Sequence, residues 1–189
     1  MPATEPIRNK KQFRELVNYF FLQGQYRNYA LIILGTFTAL RISDLLRLKW
    51  DDVYNSQQKT FYSHLTVQEQ KTKKSKTIAL NKEILKALKI LLPHRRGSYI
   101  FASNRGDKPI SRVQAWRIIR DAVREISIQG NISCHSLRKT WGYHAWTSGK
   151  VSPVVIMDIL NHSDYEVTRR YLGITQDDLD RAYLDPGIL

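Results

Sequence analysis

Apolar residues recur at helical spacing along most of the chain, and polar turn residues separate the apolar runs. This pattern predicts a helix over residues 10–22 and a second over 26–37, which is apolar nearly all round and is therefore predicted to be central and buried. Four residues of a later helix are predicted to face inward: Trp116, Ile119, Val123 and Ile126. The remaining predicted helices cover residues 38–50, 82–92, 111–126, 133–141, 153–160 and 177–183.

The period of the pattern changes between residues 53 and 80, where aromatic and β-branched residues dominate. Residues 61–67 and 76–80 predict the two strands of a hairpin. The tip that joins them, residues 70–76, carries four lysines. The sequence therefore predicts a mainly α protein with a small β-hairpin, of the α+β class. We expect a single domain over residues 1–189, in which residues 1–9 form a loose lead-in.

Net charge narrows the range of partners. Thirty lysines and arginines against 17 aspartates and glutamates leave a net charge of +13, which favours a polyanionic partner. The longest apolar run, residues 29–40, is too short to span a bilayer, so nucleic acid is favoured over membrane. The single cysteine, Cys134, indicates a reducing, intracellular setting.

Residues 160–171 place a histidine, a serine, two arginines and two tyrosines directly after an apolar helix that is predicted to be buried. Elsewhere the chain has groups that suit an anion: Arg41, Lys71, and the pair His135 and Arg138, which are three apart and predicted to project from one helix face. Arg41 is expected to be partly buried, which requires a carboxylate or a phosphate beside it. Each group alone is more often a surface or core-edge residue. Only their order and spacing together indicate a site.

That order and spacing resembles the tyrosine recombinase, or phage integrase, family. Residues 38–46 resemble the family's Thr-Gly-Leu-Arg-x-Ser-Glu-Leu block. Lys71 matches the family's hairpin lysine, and residues 135–138 match its His-x-Leu-Arg block. Residues 160–163 match its Leu-Gly-His-x-Ser block. The family's nucleophile follows the histidine of that block by nine residues, which is Tyr171 here.

The resemblance implies a DNA strand-exchange enzyme with the tyrosine recombinase catalytic-domain fold. It implies that double-stranded DNA is cut and rejoined at specific sites through a 3′-phosphotyrosine, a covalent link that makes ATP, metal ions and cofactors unnecessary. The nucleophile would be Tyr171. The other catalytic residues that the resemblance implies are Arg41, Lys71, His135, Arg138 and His162.

The residue types suit these tasks. A guanidinium stays charged and bonds two oxygens at once, so Arg41 and Arg138 are expected to bind the non-bridging phosphate oxygens. By resemblance, His135 takes the base-like role and His162 contacts the phosphate. Lys71, on the hairpin tip, is expected to protonate the departing 5′-oxygen.

Alternatives remain for both the function and the residues. A type IB topoisomerase-like enzyme would use the same chemistry to relax supercoils, and a non-catalytic DNA-binding module would use none of it. Tyr165 is the rival nucleophile by position. Cys134 is expected to be a packing residue rather than a thiol nucleophile, because neighbouring residues on a helix point in different directions.

The chain departs from the family pattern at Ala39 and Asn161, where glycine is usual, and at Lys139, where histidine is frequent. Each glycine position needs only a small or turn-tolerant residue. Residues 1–9 are all that precede the first predicted helix, whereas most family members have a separate helical DNA-binding domain there. We therefore expect either a cut-out catalytic domain or a short, catalytic-domain-only member.

By resemblance, we expect a homo-oligomer on DNA, a tetrameric synapse in which residues 173–189 pass to a neighbouring subunit. The expected setting is the nucleoid of a prokaryotic cytoplasm. Basic side chains outside the catalytic set are expected to contact the DNA backbone, which positions a protein without reading sequence. They are Arg47, Lys49, Lys73, Lys74, Lys76, Arg95, Arg96, Arg112, Arg117, Arg169 and Arg170.

Overall fold

The computed structural model describes residues 4–162, 164–172, 174, 176, 180, 183 and 184. The chain forms two compact units, Met1–Trp141 and Gly142–Leu189. The predicted final helix over 177–183 falls largely outside the described residues. Within the described part of the chain, no helix combines the length and the apolar character that a bilayer span needs.

Two helices at the start of the first unit have the bounds that periodicity predicts. Helix α1 covers Lys10–Leu22 and α2 covers Tyr26–Phe37. All α2 residues from Tyr29 to Thr36 are buried, so the prediction of a central helix is confirmed. Helix α2 packs against α1 and against the later helix Lys82–Leu91, whose cap, Asn81, accepts hydrogen bonds from two first-turn amides.

The segment after Arg41 is helical for a single turn. Helix α3 covers Ile42–Leu45 and a 3₁₀ turn covers Trp50–Asp52, so the predicted continuous helix over 38–50 is wrong. In α3, the Asp44 carboxylate accepts a hydrogen bond from the Gln70 amide at 3.0 Å. This bond to the hairpin backbone holds the short turn in place, because α3 alone is too short to be stable.

The β structure consists of two separate antiparallel hairpins. Strand β1 (Tyr54–Asn55) pairs with β2 (Thr60–Phe61), and β3 (His64–Gln68) pairs with β4 (Ser75–Ala79). The predicted strand over 61–67 is therefore divided between β2 and β3, and the second predicted strand is found as β4.

The register of the β3–β4 hairpin decides which of its side chains face the core. Leu65 pairs with Ile78, and Val67 pairs with Lys76. These four positions alternate with exposed ones along both strands, so they share the inner face of the hairpin. Lys76, one of the four lysines of the tip segment, is therefore directed inward.

After the hairpin, α4 covers Lys82–Leu91 and is followed by a 3₁₀ turn that contains the predicted breaker, Pro93. Helix α5 covers Arg112–Glu125, and its cap, Ser111, accepts the hydrogen bond from the Gln114 amide that a capping motif requires. The prediction that Trp116 faces inward is wrong, because its side chain is 40% exposed. Of the other predicted inward positions, Ile119 and Val123 are buried, and Ile126 is partly buried against the core.

Residues 4–9 pack against the first unit, where the sequence predicted a loose lead-in. Ile7 is 1% exposed, and its amide donates to the Thr140 hydroxyl at 2.8 Å. The Lys139 ammonium donates to a backbone carbonyl of the same segment at 2.7 Å. Both partners lie on α6 (Cys134–Thr147), so the lead-in fixes the first half of this helix.

Helix α6 approaches α2 closely where Gly35 faces Leu137. A Cβ atom at position 35 would lie 2.6 Å from Cδ1 of Leu137, which is closer than packed carbon atoms come. Glycine at position 35 therefore permits the approach, and this approach fixes the position of Arg138, the next residue along α6.

The second unit contains the C-terminal end of α6 and two further helices. Helix α7 covers Pro153–Ile159, and α8 covers Tyr165–Leu172. Ile156 is fully buried, but Val154 is 63% exposed and Val155 is 46% exposed. The prediction that α7 is buried is therefore correct for one face and wrong for the other.

Candidate active site

A buried carboxylate holds Arg41 at the end of the β3–β4 hairpin. Nη1 of Arg41 lies 2.8 Å from Oε2 of Glu69. The same Oε2 accepts a hydrogen bond from the Thr72 hydroxyl at 2.8 Å. The Glu69 side chain is fully buried, whereas the Arg41 side chain is 22% exposed. The expectation that Arg41 needs a carboxylate or phosphate partner is confirmed, and part of its side chain stays accessible to solvent.

Arg138 lies beside the start of the same segment. Its side chain is 1% exposed, and Nη1 donates a hydrogen bond to the backbone carbonyl oxygen of Ala39. Because Ala39 precedes Arg41 by two residues, this bond brings the two predicted phosphate-binding arginines to one place in the first unit.

Lys76 lies on β4, opposite Val67 on the inner face of the hairpin. Its side chain is half-buried, and the charges that act on it include those of Arg138, Glu69 and Arg41. Burial above all, and then the positive charge of Arg138, lower the pKa of the Lys76 ammonium to about 8. The sequence predicts that this lysine contacts the DNA backbone; in the structure its side chain is half-buried.

The two other predicted catalytic residues of the first unit are exposed. Lys71 lies on the turn between β3 and β4, and His135 lies in the first turn of α6. His135 and Arg138 are three residues apart on this helix but differ in burial, since Arg138 reaches inward and His135 is open to solvent.

In the second unit, the His162 ring lies against the Tyr171 ring. Their centroids are 5.0 Å apart and their planes are inclined by 72°. Nδ1 of His162 lies 3.0 Å from the hydroxyl oxygen of Thr168, which is fully buried on α8. When Thr168 donates to Nδ1, the neutral ring carries its proton on Nε2 and can donate it to a phosphate oxygen.

The predicted catalytic residues are thus divided between the two units. The second unit holds His162 and Tyr171 in ring contact. The first unit holds Arg41, Lys71, His135 and Arg138.

Two turns beside the site need a left-handed backbone. Ala39 has a φ of 51° and Asn161 has a φ of 49°. Asparagine adopts this conformation readily, whereas alanine pays about 1–2 kcal/mol for it. The carbonyl of Ala39 receives Arg138, and Asn161 directly precedes His162. The prediction that these positions need turn-tolerant residues is confirmed, and it explains why glycine is usual at both.

The residues predicted to contact the DNA backbone differ in exposure. Arg169 is half-buried and lies 3.7 Å from the Glu166 carboxylate. Arg170 lies on α8, but its side chain is outside the described part of the structure. Lys76 is directed inward. The exposed members of the set are Arg47, Lys49, Lys73, Lys74, Arg95, Arg96, Arg112 and Arg117.

Two rival nucleophiles have unremarkable surroundings. Burial raises the pKa of the Cys134 thiol to about 11, so the reactive thiolate is scarce at neutral pH, which agrees with a packing role. Tyr165 is 46% exposed at the start of α8. Among the described residues, no group of three or more His, Cys, Asp or Glu side chains is arranged to hold a metal ion.

The sequence analysis did not name Glu69 or Thr168, and it named Lys76 only as a contact to the DNA backbone. Glu69 gives no signal, because an acidic residue beside a lysine-rich tip is typical of a solvated surface. Thr168 is one buried hydroxyl on an amphipathic helix. Lys76 did give a signal, since it precedes Ile78 by two residues in a strand and so shares its inner face.

The phage integrase family model matches residues 9–177 of the chain. The chain is 39% identical to the "Probable integrase/recombinase YoeC" of Bacillus subtilis over 97% of both chains. It is 28% identical to the tyrosine recombinase XerA of Pyrococcus furiosus over 85% of this chain, and the match spans 54% of that protein. The chain thus matches nearly the whole of one relative and about half the length of another.

Solved structures agree on the fold. A crystal structure of XerA recombinase matches with a TM-score of 0.77 and 24% identity, over 100% of this chain and 68% of that one. The XerH site-specific recombinase, bound to its palindromic difH substrate in a post-cleavage complex, matches with a TM-score of 0.75 and 16% identity, over 97% of this chain and 53% of that one. The chain therefore belongs to the phage integrase family of tyrosine recombinases and has the fold of their catalytic domain.

Proposed function

We propose that this chain is a site-specific DNA recombinase whose Tyr171 cuts one DNA strand and holds it as a 3′-phosphotyrosine until the strand is rejoined. The observation that carries the proposal is the partly exposed Arg41, held by the buried Glu69 carboxylate, with Arg138 bonded to the carbonyl of Ala39, two residues before Arg41. A guanidinium stays charged and can bond two oxygens of one anion at once. A phosphodiester supplies that anion, and its geometry suits the guanidinium fork.

In the proposed cleavage step, the Tyr171 oxygen bonds to the scissile phosphorus as the bond from phosphorus to the 5′-oxygen breaks. The tyrosine proton passes to His135, and the Lys71 ammonium gives a proton to the departing 5′-oxygen. Arg41 and Arg138 stabilise the charge that develops on the non-bridging oxygens.

His162 is proposed to donate from Nε2 to the same oxygens, with Thr168 engaging its Nδ1. Rejoining is the reverse reaction, in which a 5′-hydroxyl attacks the phosphotyrosine. The covalent link keeps the energy of the phosphodiester, so the proposed cycle uses neither a nucleotide nor a metal ion.

Double-stranded DNA is the proposed substrate, and a tetrameric synapse of two DNA sites is the proposed assembly. The net charge of +13 and the exposed basic side chains support binding to a DNA backbone. Solved relatives of similar fold include a lambda integrase dimer bound to a COC′ core site. The proposed setting is the prokaryotic nucleoid, where such DNA lies.

The residues after Gly173 are proposed to join neighbouring subunits in that synapse. Leu179, one of the apolar residues on which this proposal depends, lies outside the described residues. A chain that ends after Ile174 should lose the pairing of two DNA sites, measured by gel retardation, while single-site cleavage is largely kept. Equal losses of both, or no loss of either, would count against the proposal.

Covalent trapping tests the nucleophile. Overlapping duplexes from the DNA that flanks the chain's own gene would be nicked, so that the short 5′-hydroxyl fragment diffuses away and the protein–DNA adduct accumulates. The wild-type chain should form an adduct that survives denaturing electrophoresis. Tyr171→Phe should form none and still bind DNA, and Tyr165→Phe, the matched control, should form adduct normally. Adduct from Tyr171→Phe but not from Tyr165→Phe would overturn the assignment.

The captured sequence then separates exchange from relaxation. Two plasmids that carry this sequence should yield recombinant DNA if the chain is a recombinase. Relaxation of supercoils without any recombinant product would instead indicate a type IB topoisomerase-like enzyme.

A further inference from the structure

A cavity at the start of α2 lies apart from the candidate active site. Its volume is about 460 Å³, within the range of about 300–1,000 Å³ that is usual for sites of small ligands. The segment that contains Ala39 and Arg41 follows the other end of α2, and the 12 residues of this helix span about 18 Å at a rise of about 1.5 Å each. One phosphate group therefore cannot contact both places.

The charged residues in the wall of this cavity are all basic. Three arginines line it, Arg27, Arg95 and Arg96, and no aspartate or glutamate does. Within the part of the chain that the structure describes, none of the three forms an ion pair with a carboxylate. The carboxylate of Asp107 accepts two hydrogen bonds from Ser98 and is not part of the wall. The cavity thus gathers positive charge that no carboxylate in its wall balances.

Arg27 is half-buried, and its hydrogen-bond partners are neutral oxygens. Nε and Nη2 donate to the side-chain oxygen of Asn28 at 3.2 and 3.1 Å, and Nη1 donates to the carbonyl of Ala102 at 2.9 Å. These bonds use three of the five N–H groups of a guanidinium, so one N–H remains on Nη1 and one on Nη2. A half-buried charge whose partners are neutral favours an anion beside it.

Arg96 contributes a second guanidinium to the same cavity. Its Nη1 donates to the side-chain oxygen of Asn104 at 3.2 Å, which is again a neutral partner. Arg95 and Arg96 are exposed, so they keep N–H groups for a ligand. Tying the start of α2 to Ala102 requires Arg27 alone and gives no reason for two more guanidinium groups in the wall. Guanidinium groups bind phosphate oxygens in pairs, so this arrangement suits a phosphate group.

We propose that this cavity is a second anion site, which binds a phosphate group between Arg27 and Arg96. The site is separate from the proposed cleavage chemistry, and the inference does not depend on Tyr171 as the nucleophile. The sequence predicts Arg95 and Arg96 as separate contacts to DNA, whereas the cavity joins them to Arg27, which the sequence analysis did not name. A DNA backbone and a free nucleotide both offer the phosphate chemistry, and the test separates these two sources.

Nuclear magnetic resonance of the isotope-labelled chain tests the site, because the hydrogen-bonded Nε–H of Arg27 gives a signal of its own. Sodium phosphate at pH 7 replaces sodium chloride at constant ionic strength. The double variant Arg95→Gln/Arg96→Gln removes two charges and leaves Arg27 with its bonds. The matched control, Arg14→Gln/Lys86→Gln, also removes two exposed charges, and neither residue lines the cavity.

Phosphate should shift the Arg27 signal in the wild-type chain and in the control with the same dissociation constant. In Arg95→Gln/Arg96→Gln this constant should rise about tenfold or more, because charge-assisted bonds to the phosphate are lost. The thermal midpoint of each variant establishes that it is folded. The titration of the wild-type chain tests the site without any variant.

A short DNA duplex and deoxyadenosine monophosphate then identify the source of the phosphate. If the source is DNA, the duplex should shift the Arg27 signal. The slope of log affinity against log salt should then become less steep by about one in Arg95→Gln/Arg96→Gln than in wild type, because one phosphate contact is lost. If the source is a free nucleotide, the monophosphate should shift the Arg27 signal and the duplex should leave it unchanged.

An Arg27 signal that shifts with none of the three probes, or that shifts equally in wild type and Arg95→Gln/Arg96→Gln, would overturn the inference. Neither result changes adduct formation by Tyr171. Conversely, failure of Tyr171 to form adduct leaves the shift of the Arg27 signal unaffected. Failure of the inference and failure of the proposed function are therefore distinguishable.

Discussion

Replacement of Glu69 with glutamine tests how the arginine pocket is held together. The substitution keeps the shape of the side chain and removes the charge that faces Arg41 at 2.8 Å. Because the Glu69 side chain is fully buried, water does not replace the lost interaction. Arg41 is then left near Arg138 and Lys76 without its balancing charge.

The structure sets the size of the effect. Hydrogen bonds to charged groups contribute about 1.5–3 kcal/mol, and breaking a buried ion pair costs about 3–5 kcal/mol. Glutamine still accepts a hydrogen bond, and the Arg41 side chain is 22% exposed. We therefore expect Glu69→Gln to lower the free energy of unfolding by about 2–3 kcal/mol, which for a chain of this size lowers Tm by roughly 5–10 °C.

Calorimetry at pH 7 would measure the change in Tm, with Asp121→Asn as the matched control. Asp121 accepts a hydrogen bond from Arg120 at the same distance, 2.8 Å, but the two side chains are 59% and 43% exposed. An exposed pair contributes at most about 1 kcal/mol, so Tm of the control should fall by no more than about 4 °C. Equal shifts for the two variants would refute the argument that burial makes the Glu69 pair strong.

Four further predictions concern the chemistry and the charges. Thr168→Val keeps the shape of a buried side chain but removes the hydroxyl beside His162. The rate of adduct formation should therefore fall roughly tenfold to a hundredfold at unchanged DNA affinity. An unchanged rate would show that the His162 ring does not need the Thr168 hydroxyl. In a salt titration, the slope of log affinity against log salt should be roughly −5 if about six phosphates are contacted, and a slope near zero would contradict DNA binding. Lys71→Ala should cleave ordinary DNA slowly, but it should cleave DNA with sulfur as the 5′-bridging atom at nearly the wild-type rate. Arg41→Ala should cleave both substrates slowly. If sulfur does not rescue Lys71→Ala, then Lys71 binds phosphate and does not donate the proton. The pKa of Lys76 is about 8 in the folded chain and about 10.4 in an unfolded one, so the unfolded state binds more protons between these pH values. The free energy of unfolding of wild type should therefore rise relative to that of Lys76→Met between pH 8 and pH 10. A fall would contradict the burial of this lysine.

Local patterns predicted the elements that local forces decide. The bounds of α1 and α2 follow from runs of apolar residues that end at Gln23-Gly24 and at the turn through Ala39. Asn81 and Ser111 cap their helices as predicted, because a cap bonds to amides only two or three residues away. These features need no knowledge of the rest of the chain.

Elements that depend on distant contacts could not be predicted in this way. Helix α3 is one turn long because Asp44 bonds to the hairpin backbone, a partner that the sequence does not reveal. Trp116 is apolar but lies one position past the buried Ala115, which is about 100° round the helix and outside the buried stripe. The anchoring of Ile7 on α6 is also a contact between distant parts of the chain.

The residues of the candidate site also differ in how far the sequence could predict them. The resemblance supplied Arg41 and Arg138 from residue types and order, and the structure brings them together. The burial of Glu69, which holds Arg41, could not be predicted from the sequence, because a charged residue is expected at the surface unless its partner is known. The alternation of inward and outward side chains along a strand could have predicted that Lys76 faces inward. A cluster of lysines, however, is more often typical of a solvated hairpin tip.

The central claim is that Tyr171 forms a covalent bond with a DNA 3′-phosphate. Mass spectrometry of the trapped adduct after digestion with trypsin tests it most directly, because cleavage after Arg169 and Arg170 places Tyr165 and Tyr171 in different peptides. The account predicts a nucleotide joined through a 3′-phosphate to the peptide that begins at Tyr171, and a free 5′-hydroxyl on the released strand. A nucleotide on the Tyr165 peptide, a link to a 5′-phosphate, or an adduct on any other side chain would contradict it.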